Sequence, residues 1–203
     1  MNKDDIEKYL ERYNDRLEKY GFAPESLGWG GGRERQNLRF EVLSEIGIKN
    51  GDSVLDVGCG FADLYNYLKE CGWEGNYFGV DINGNLLDVA KNVYPEVNVR
   101  ELDILESDEE LRFDWVVSSG IFNAKLSFEN NFDYIKRMLE RMVDISVKGV
   151  FSDFMSIYVD YQHPDAYHTP HNDLIDFLRR DLNMKFVLRM DYLPFEYCIY
   201  IKK

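Results

Sequence analysis

The sequence predicts an α/β fold with one mostly parallel, seven-stranded sheet, helices on both faces and a helical extension at the N-terminus. Short apolar segments alternate with amphipathic ones from residue 53 onward, as parallel β-α-β units require. The last two apolar segments are separated by a short turn, so they are expected to form an antiparallel hairpin. The residues before this alternating region are typical of helices.

Two helices are predicted before the sheet. From Lys3 to Tyr20, apolar and aromatic side chains recur every three or four residues, and Gly21 is placed to end this amphipathic helix. A glycine-rich loop around Trp29 follows, and then a second helix over roughly 34–46. We therefore divide the chain into an extension, residues 1–50, that packs on an α/β domain formed by residues 51–203.

The α/β domain is predicted to contain seven strands and four helices. The strands are short and apolar, which is typical of strands buried on both faces. We expect strands at 53–57, 77–81, 97–102, 113–118, 147–154, 185–190 and 196–201, and helices at 63–71, 86–93, 132–145 and 173–181.

The acidic composition limits the classes of partner. The chain of 203 residues has a formal net charge of -13, whereas binding through nucleic-acid phosphates needs a basic surface. The one basic run, Arg33, Arg35 and Arg39, is short and interrupted by Glu34, so nucleic acid is disfavoured as a partner. No segment approaches the roughly 20 apolar residues that cross a bilayer. Because the acidic N-terminus also does not resemble a signal peptide, we expect a soluble, cytoplasmic protein.

The loop after the first strand has the clearest chemical meaning. Gly58 and Gly60, with Cys59 between them, allow a tight turn and a close approach of the backbone to a ligand. A dinucleotide-binding loop would have a third glycine at the position of Asp63, and an acid there would repel a pyrophosphate. Asp56 adds negative charge that suits a cationic cofactor better than a diphosphate.

The ends of the following strands carry further candidates for cofactor binding. Asp81, about twenty residues past the glycines, can accept hydrogen bonds from both hydroxyls of a ribose, and we place Ile82 at the same site. After the third strand, Asp103 can accept a hydrogen bond from the amino group of adenine, while Ile104 packs on the adenine ring. Ser118 ends the fourth strand among small residues that leave room for ligands. These positions indicate an adenosine-containing cofactor without choosing between cofactor families.

With its strand ends in this order, the sequence resembles the class I S-adenosylmethionine-dependent methyltransferases. The resemblance runs from the first strand to the C-terminus and rests on Asp56 with Gly58 and Gly60, on Asp81, on Asp103 with Ile104, and on residues 114–119. It implies a Rossmann-like fold, S-adenosylmethionine as the cofactor and S-adenosylhomocysteine as the product. Ala62 stands where many members have a third glycine, and we expect tighter packing there. Two segments before the first strand, residues 28–30 and 35–40, resemble the corresponding segments of small stand-alone microbial members of the family.

Two features of the extension leave alternatives open. Arg35 or Arg39 can pair with the methionyl carboxylate of the cofactor, but a basic run on a helix can equally be a solvated face. Trp29, on its glycine-rich loop, can act as a lid over the ligands or as an anchor that packs the extension onto the domain.

All three histidines, His163, His168 and His171, lie in an irregular segment after the fifth strand. Their spacing does not match a zinc pattern and the cysteines lie elsewhere, so no metal site is predicted. We expect the segment to line the acceptor pocket, with His163 or His168 as the general base.

The predicted function is methyl transfer, by in-line displacement, to a small-molecule acceptor that the sequence leaves unidentified. The cofactor carries an activated methyl group, so the protein mainly aligns the reactants and excludes water. Two alternatives stay open, a non-catalytic regulatory or partner protein that binds S-adenosylmethionine and a nucleotide-dependent oxidoreductase. The sequence does not distinguish a monomer from a homodimer.

Overall fold

The predicted strands form one sheet in the computed structural model, which describes residues 1–203. The strands are β1 (Ser53–Val57), β2 (Asn76–Asp81), β3 (Val99–Glu101), β4 (Phe113–Ser118), β5 (Ser146–Met155), β6 (Phe186–Arg189) and β7 (Glu196–Lys202). Their order across the 7-stranded sheet is β3-β2-β1-β4-β5-β7-β6. Strands β1 to β5 run parallel, and β7 runs antiparallel to β5 and β6. The predicted fold class is confirmed.

Six α-helices connect or cover the strands. They are α1 (Lys3–Tyr20), α2 (Gly32–Ser44), α3 (Asp63–Glu70), α4 (Gly84–Val93), α5 (Asn131–Ile145) and α6 (His171–Asp176), and a 3-10 turn spans Pro24–Leu27. Asparagine side chains start three of the helices. The side chains of Asn2, Asn83 and Asn130 accept first-turn N–H groups of α1, α4 and α5, which would otherwise have no partner.

The strand order reverses between β1 and β4. From this pair, β2 and β3 extend in one direction, while β5, β7 and β6 extend in the other. In open α/β sheets, the connecting loops diverge at such a point and leave a crevice at the carboxyl ends of the strands. The loop after β1 and the end of β4 therefore border the place where a ligand is expected.

The core consists of two hydrophobic clusters, one around α5 and one around α2 and α3. Val54 belongs to one cluster and its neighbour Leu55 to the other. Because successive side chains of a strand point to opposite faces, each cluster covers one face of the sheet. Helix α2 contributes Phe40 and Leu43 to this core, so part of the N-terminal extension packs into the domain. The boundary at residue 50 stays a prediction.

The C-terminal edge differs in detail from the sequence-based prediction. The helix predicted over 173–181 is instead α6 followed by a π-helical turn, Phe177–Asp181. In this turn, the N–H of Leu182 donates to the carbonyl of Phe177 at 3.0 Å, which is the i to i-5 pattern of a π-helix. Strand β7 then inserts between β5 and β6. A membrane-spanning helix needs both length and hydrophobicity, and no helix of this structure combines the two.

Candidate functional site

A cavity of about 490 Å³ opens at the carboxyl ends of β1, β2 and β4. This volume lies within the range of small-molecule sites in proteins. The loop after β1 and two strand-end acids, Asp56 and Asp81, line one side of the cavity. Helix α1 and the glycine-rich loop around Trp29 line the other side. The structure thus brings together the β1 loop, the end of β2 and the N-terminal extension.

Asp56 is a buried carboxyl at the end of β1. The hydroxyl of Tyr77 donates a hydrogen bond to its Oδ2 atom at 2.6 Å. Burial raises the pKa of Asp56 to about 7, and this rise exceeds the opposing effect of the Tyr77 hydrogen bond. No cationic side chain pairs with Asp56 in the structure, so this carboxyl is suited to a cationic group of a ligand.

The loop after β1 turns through glycines with left-handed backbone angles. Gly58 has φ 73 and Gly60 has φ 53, a region in which glycine is favoured. The N–H groups of Gly58 and Cys59 both donate to the carbonyl of Val80, at 2.7 and 3.1 Å. These bonds fix the loop against the end of β2. Ala62, also left-handed with φ 58, is fully buried.

Replacing Gly58 with alanine should destabilise the protein, since a Cβ atom there would lie 2.2 Å from Cγ2 of Ile121. We expect a loss of about 1–3 kcal/mol from crowding, in addition to the cost of a left-handed alanine. Gly72→Ala is the matched control, because Gly72 has φ +79 and a Cβ atom added there would have no neighbour within 4 Å. Urea unfolding of both variants measures the difference, and equal losses would contradict the crowding argument.

Asp81 at the end of β2 connects the glycine loop to the start of α4. Its Oδ2 accepts the N–H of Gly60 and its Oδ1 the N–H of Asn83, both at 2.9 Å. Burial raises the pKa of Asp81 despite these hydrogen bonds. A carboxylate has about four acceptor sites, so each oxygen can still accept a ribose hydroxyl.

A second, smaller cavity of about 40 Å³ adjoins the first. It is lined by the predicted adenine-site residues Ile82, Asp103 and Ile104, and Asp81 and Gly58 line both cavities. Asp103 Oδ1 accepts the N–H of Leu105 at 2.9 Å, and its Oδ2 lies 3.6 Å from the amino group of Met1. Five of the predicted cofactor residues thus line the smaller cavity, and two of them, Gly58 and Asp81, also line the larger one.

The two arginines predicted to bind the cofactor carboxylate both contact Glu196. Arg39 is buried, and its Nε and Nη2 atoms donate to the two oxygens of Glu196, the first at 2.7 Å. Arg35 donates to the same carboxylate at 3.3 Å, and its Nε has no partner. The Trp29 ring covers Arg39, whose guanidinium lies 4.4 Å from the ring centroid. Arg39 is thus neutralised, while Arg35 keeps a free donor at the cavity.

The end of β4 is held by a buried acid of β5. Asp153 accepts the hydroxyl of Ser119 at 2.5 Å and the N–H of Gly120 at 2.7 Å. Burial raises the pKa of Asp153 to about 6, although the nearby Arg39 lowers it. The predicted site residue Ser118 exchanges a hydrogen bond with Ser152 at 2.8 Å. Its neighbours Ser119 and Gly120, rather than Ser118 itself, line the cavity.

The structure separates the two histidines proposed as the base. His163 lines the cavity and is exposed, and its Nδ1 accepts the N–H of Asp165 at 3.2 Å. His168 is buried outside the cavity lining, with Nδ1 2.6 Å from the carbonyl of Ser156. His171 stacks on Tyr197, with 4.1 Å between ring centroids, and begins α6. Only His163 can therefore reach a group in the cavity without rearrangement.

Helix α1 lines the cavity with residues that the sequence analysis did not single out. Tyr9, Arg12, Tyr13 and Arg16 all face it, and the rings of Tyr9 and Tyr13 lie 4.4 Å apart. Their spacing of three and four residues predicted a shared helix face. The sequence carries no signal for the surface that this face covers, since such helices commonly pack on any part of their own domain.

Asp5 attaches the start of α1 to the loop before α5. Its carboxylate is buried and accepts the N–H groups of Ser127, Phe128 and Glu129 at 2.7, 3.1 and 3.0 Å. Such a run of backbone donors is a favourable anion site. The contact holds α1 across the carboxyl edge of the sheet.

Asp5→Ala should therefore loosen α1, because three partly buried N–H groups lose their acceptor. We expect a loss of about 1–3 kcal/mol in unfolding free energy and faster tryptic cleavage within α1. The adjacent exposed Asp4 accepts none of these bonds, so Asp4→Ala is the control. Cleavage of Asp5→Ala at the wild-type rate would contradict the attachment.

Comparison with known proteins points to one family. A family model described as a methyltransferase domain matches residues 48–157. Rv1506c of Mycobacterium tuberculosis, which bears a methyltransferase name, is 27% identical over 156 residues, or 74% of this chain and 93% of the relative. A demethylmenaquinone methyltransferase of Staphylococcus saprophyticus is 30% identical over 99 residues, which is 45% of this chain and 42% of that protein. The chain thus matches less than half the length of the second relative.

Solved structures of low sequence identity share the whole fold. A complex of DhpI with SAH superposes with a TM-score of 0.73 at 15% identity and covers 100% of this chain and 98% of that chain. The magnesium protoporphyrin IX methyltransferase ChlM of Synechocystis PCC 6803, with bound SAM, gives 0.70 at 15% identity and covers 100% of both chains. Both structures hold the cofactor or its product, in agreement with the predicted cofactor.

Proposed function

This chain belongs to the S-adenosylmethionine-dependent methyltransferase domain family, and from that premise we propose that it methylates a small-molecule acceptor by in-line displacement. The main support is the convergence of Asp56, the Gly58–Gly60 loop and Asp81 on one cavity of about 490 Å³. This cavity is covered by α1 and by the Trp29 loop. Its size and its cover suit a small-molecule acceptor better than a macromolecular one.

The residues present fit the cofactor at each of its polar groups. Asp56, which has no cationic partner, suits the amino group of the methionyl part, and Asp81 suits the ribose hydroxyls. Arg35, with its free Nε donor, suits the methionyl carboxylate, whereas Arg39 serves to hold Glu196. Asp103 and Ile104 border the hollow proposed for adenine. When bound, S-adenosylmethionine supplies an activated methyl group.

The remaining task of the chain is to orient the acceptor and exclude water. Ser119 and Gly120, fixed by Asp153, and Trp29, against which Gly120 packs, form the wall beside the β1 loop. This packing places Trp29 at the wall of the cavity, where it can act as a lid or as an anchor for the extension. Of the two candidate bases, we retain His163, which lines the cavity and can accept a proton from an acceptor hydroxyl. The cytoplasmic location and the oligomeric state stay predictions.

The test is to measure S-adenosylhomocysteine formation with two acceptor pools, a small-metabolite fraction and a macromolecular fraction of a microbial extract. We expect product with the small-metabolite fraction, and none with an Asp81→Ala variant under the same conditions. Product with the macromolecular fraction alone would contradict a small-molecule acceptor. Cofactor binding without turnover in either pool would favour the non-catalytic alternative.

A further inference from the structure

Two arginines of α1 line the cavity without an anionic partner. Arg12 and Arg16 both face it, and neither forms an ion pair, although Arg16 donates to the backbone carbonyl of Glu25 at 3.3 Å. Arg35 and Arg39 share the single carboxylate of Glu196, and the free Nε of Arg35 suits the cofactor carboxylate. Arg12 and Arg16 of α1 are therefore the cavity arginines that contact no carboxylate.

The spacing of this pair on α1 suits the binding of an anion between the two guanidiniums. Residues four apart on a helix are neighbours, and like charges at this spacing repel each other. Burial raises the pKa of Tyr13, and the charges of Arg12 and Arg16 oppose that rise, whereas the charge of Asp81 adds to it. An anion between the two guanidiniums would remove their mutual repulsion.

The position of the pair favours the acceptor over the cofactor. Arg12 is exposed and Arg16 is half-buried, so they stand where the cavity meets solvent. The proposed cofactor contacts, Asp56 and Asp81, are buried at the strand ends. The single carboxylate of the cofactor already has a candidate partner in Arg35. A group that reaches Arg12 would therefore enter last, from the solvent side.

We propose that Arg12 and Arg16 bind an oxyanion of the methyl acceptor, so that the acceptor is a small molecule carrying a carboxylate or phosphoryl group; this inference rests on the proposed function. Guanidinium groups bind both kinds of oxyanion through paired N–H donors. On a chain of net charge -13, a local basic pair also offsets the repulsion that an anionic acceptor meets on approach.

The first test titrates small probes into the protein saturated with S-adenosylhomocysteine. The probes are matched pairs, benzoate against benzamide and phenyl phosphate against phenol. We expect one or both anions to bind about tenfold or more tightly than the neutral partner, and Arg12→Gln combined with Arg16→Gln to abolish this preference. The control variant, Lys3→Gln combined with Lys19→Gln, removes the same charge from α1 at positions outside the cavity lining. It should leave the preference for the anionic probe unchanged. The carboxylate and phosphate pairs distinguish the two kinds of acceptor.

The second test separates the acceptor from the cofactor carboxylate. Binding of S-adenosylhomocysteine is compared with that of 5′-methylthioadenosine, which lacks the amino-acid part, on wild type and the double arginine variant. The proposal is supported if the double arginine variant binds S-adenosylhomocysteine as tightly as wild type does, and likewise 5′-methylthioadenosine. Weaker binding of S-adenosylhomocysteine alone would assign the arginines to the cofactor and overturn it, as would probes that show no preference for the anion. If wild type bound neither adenosine compound, the proposed function itself would fail.

Discussion

Asp81→Ala should weaken S-adenosylhomocysteine binding by about 100-fold or more. In the proposed site, the variant loses the acceptor of two ribose hydroxyls, and hydrogen bonds to a charged group contribute about 1.5–3 kcal/mol each. It also leaves the N–H groups of Gly60 and Asn83 without their present partner, so the loop after β1 becomes less ordered. Isothermal titration calorimetry at neutral pH measures the loss.

Two further variants separate ligand binding from folding. Asp81→Asn retains one carbonyl acceptor and should lose less affinity than Asp81→Ala. Asp88→Ala removes an exposed acid of α4 and should bind as wild type does. Circular dichroism melting establishes that each variant is folded. An Asp81→Ala protein that folds and binds within a few fold of wild type would exclude Asp81 from the ribose site.

The affinity for S-adenosylmethionine should rise with pH as Asp56 loses its proton. The pKa of Asp56 is about 7 in the free protein, and only the ionised carboxylate attracts the cationic amino group of the cofactor. At pH 6 most Asp56 side chains are protonated, so we expect binding about fivefold weaker than at pH 7.5, where the amino group is still largely charged. Calorimetric titrations across this range give the profile.

The Asp56→Asn variant should bind S-adenosylmethionine more weakly than wild type at pH 7.5, by roughly 10-fold or more. Its affinity should also no longer rise with pH. Asp153→Asn is the matched control, since Asp153 is also buried with a pKa raised to about 6 but does not line the cavity. In the Asp153→Asn variant, the affinity for S-adenosylmethionine should still rise with pH, with a midpoint near pH 7. A flat profile in wild type, or an unchanged profile in Asp56→Asn, would show that another group controls the cofactor's affinity.

Much of the fold could be predicted because its signals are local. The alternation of apolar strands and amphipathic helices predicted the sheet and its parallel strands, and the short connection before β7 predicted the antiparallel edge. The π-helical turn after α6 escaped prediction, since its i to i-5 bond from Leu182 to Phe177 leaves the same apolar spacing as an ordinary helix end. Element ends also shifted, as at β3, which covers Val99–Glu101 rather than 97–102.

The part of the site formed by the strand ends was more predictable than the part formed by the N-terminal extension. In a parallel sheet, the strand ends that carry Asp56, Asp81 and Asp103 meet at one edge, so order along the chain becomes proximity in space. Arg39 followed no such rule. It was a candidate for the cofactor carboxylate, but its partner in the structure is Glu196, on a strand more than 150 residues later in the numbering.

The sequence alone determined the class of fold, because the hydrophobic period can be read from short segments. Its strand-end residues indicated an adenosine-containing cofactor, and the resemblance to the class I methyltransferases implied that this cofactor is S-adenosylmethionine. Only the tertiary structure decided which side chains share the cavity. It placed α1 over the ligand edge through Asp5, brought Arg12 and Arg16 to the cavity, and separated His163 from His168. These outcomes depend on contacts between distant parts of the chain, whose free energies arise only when the elements pack together.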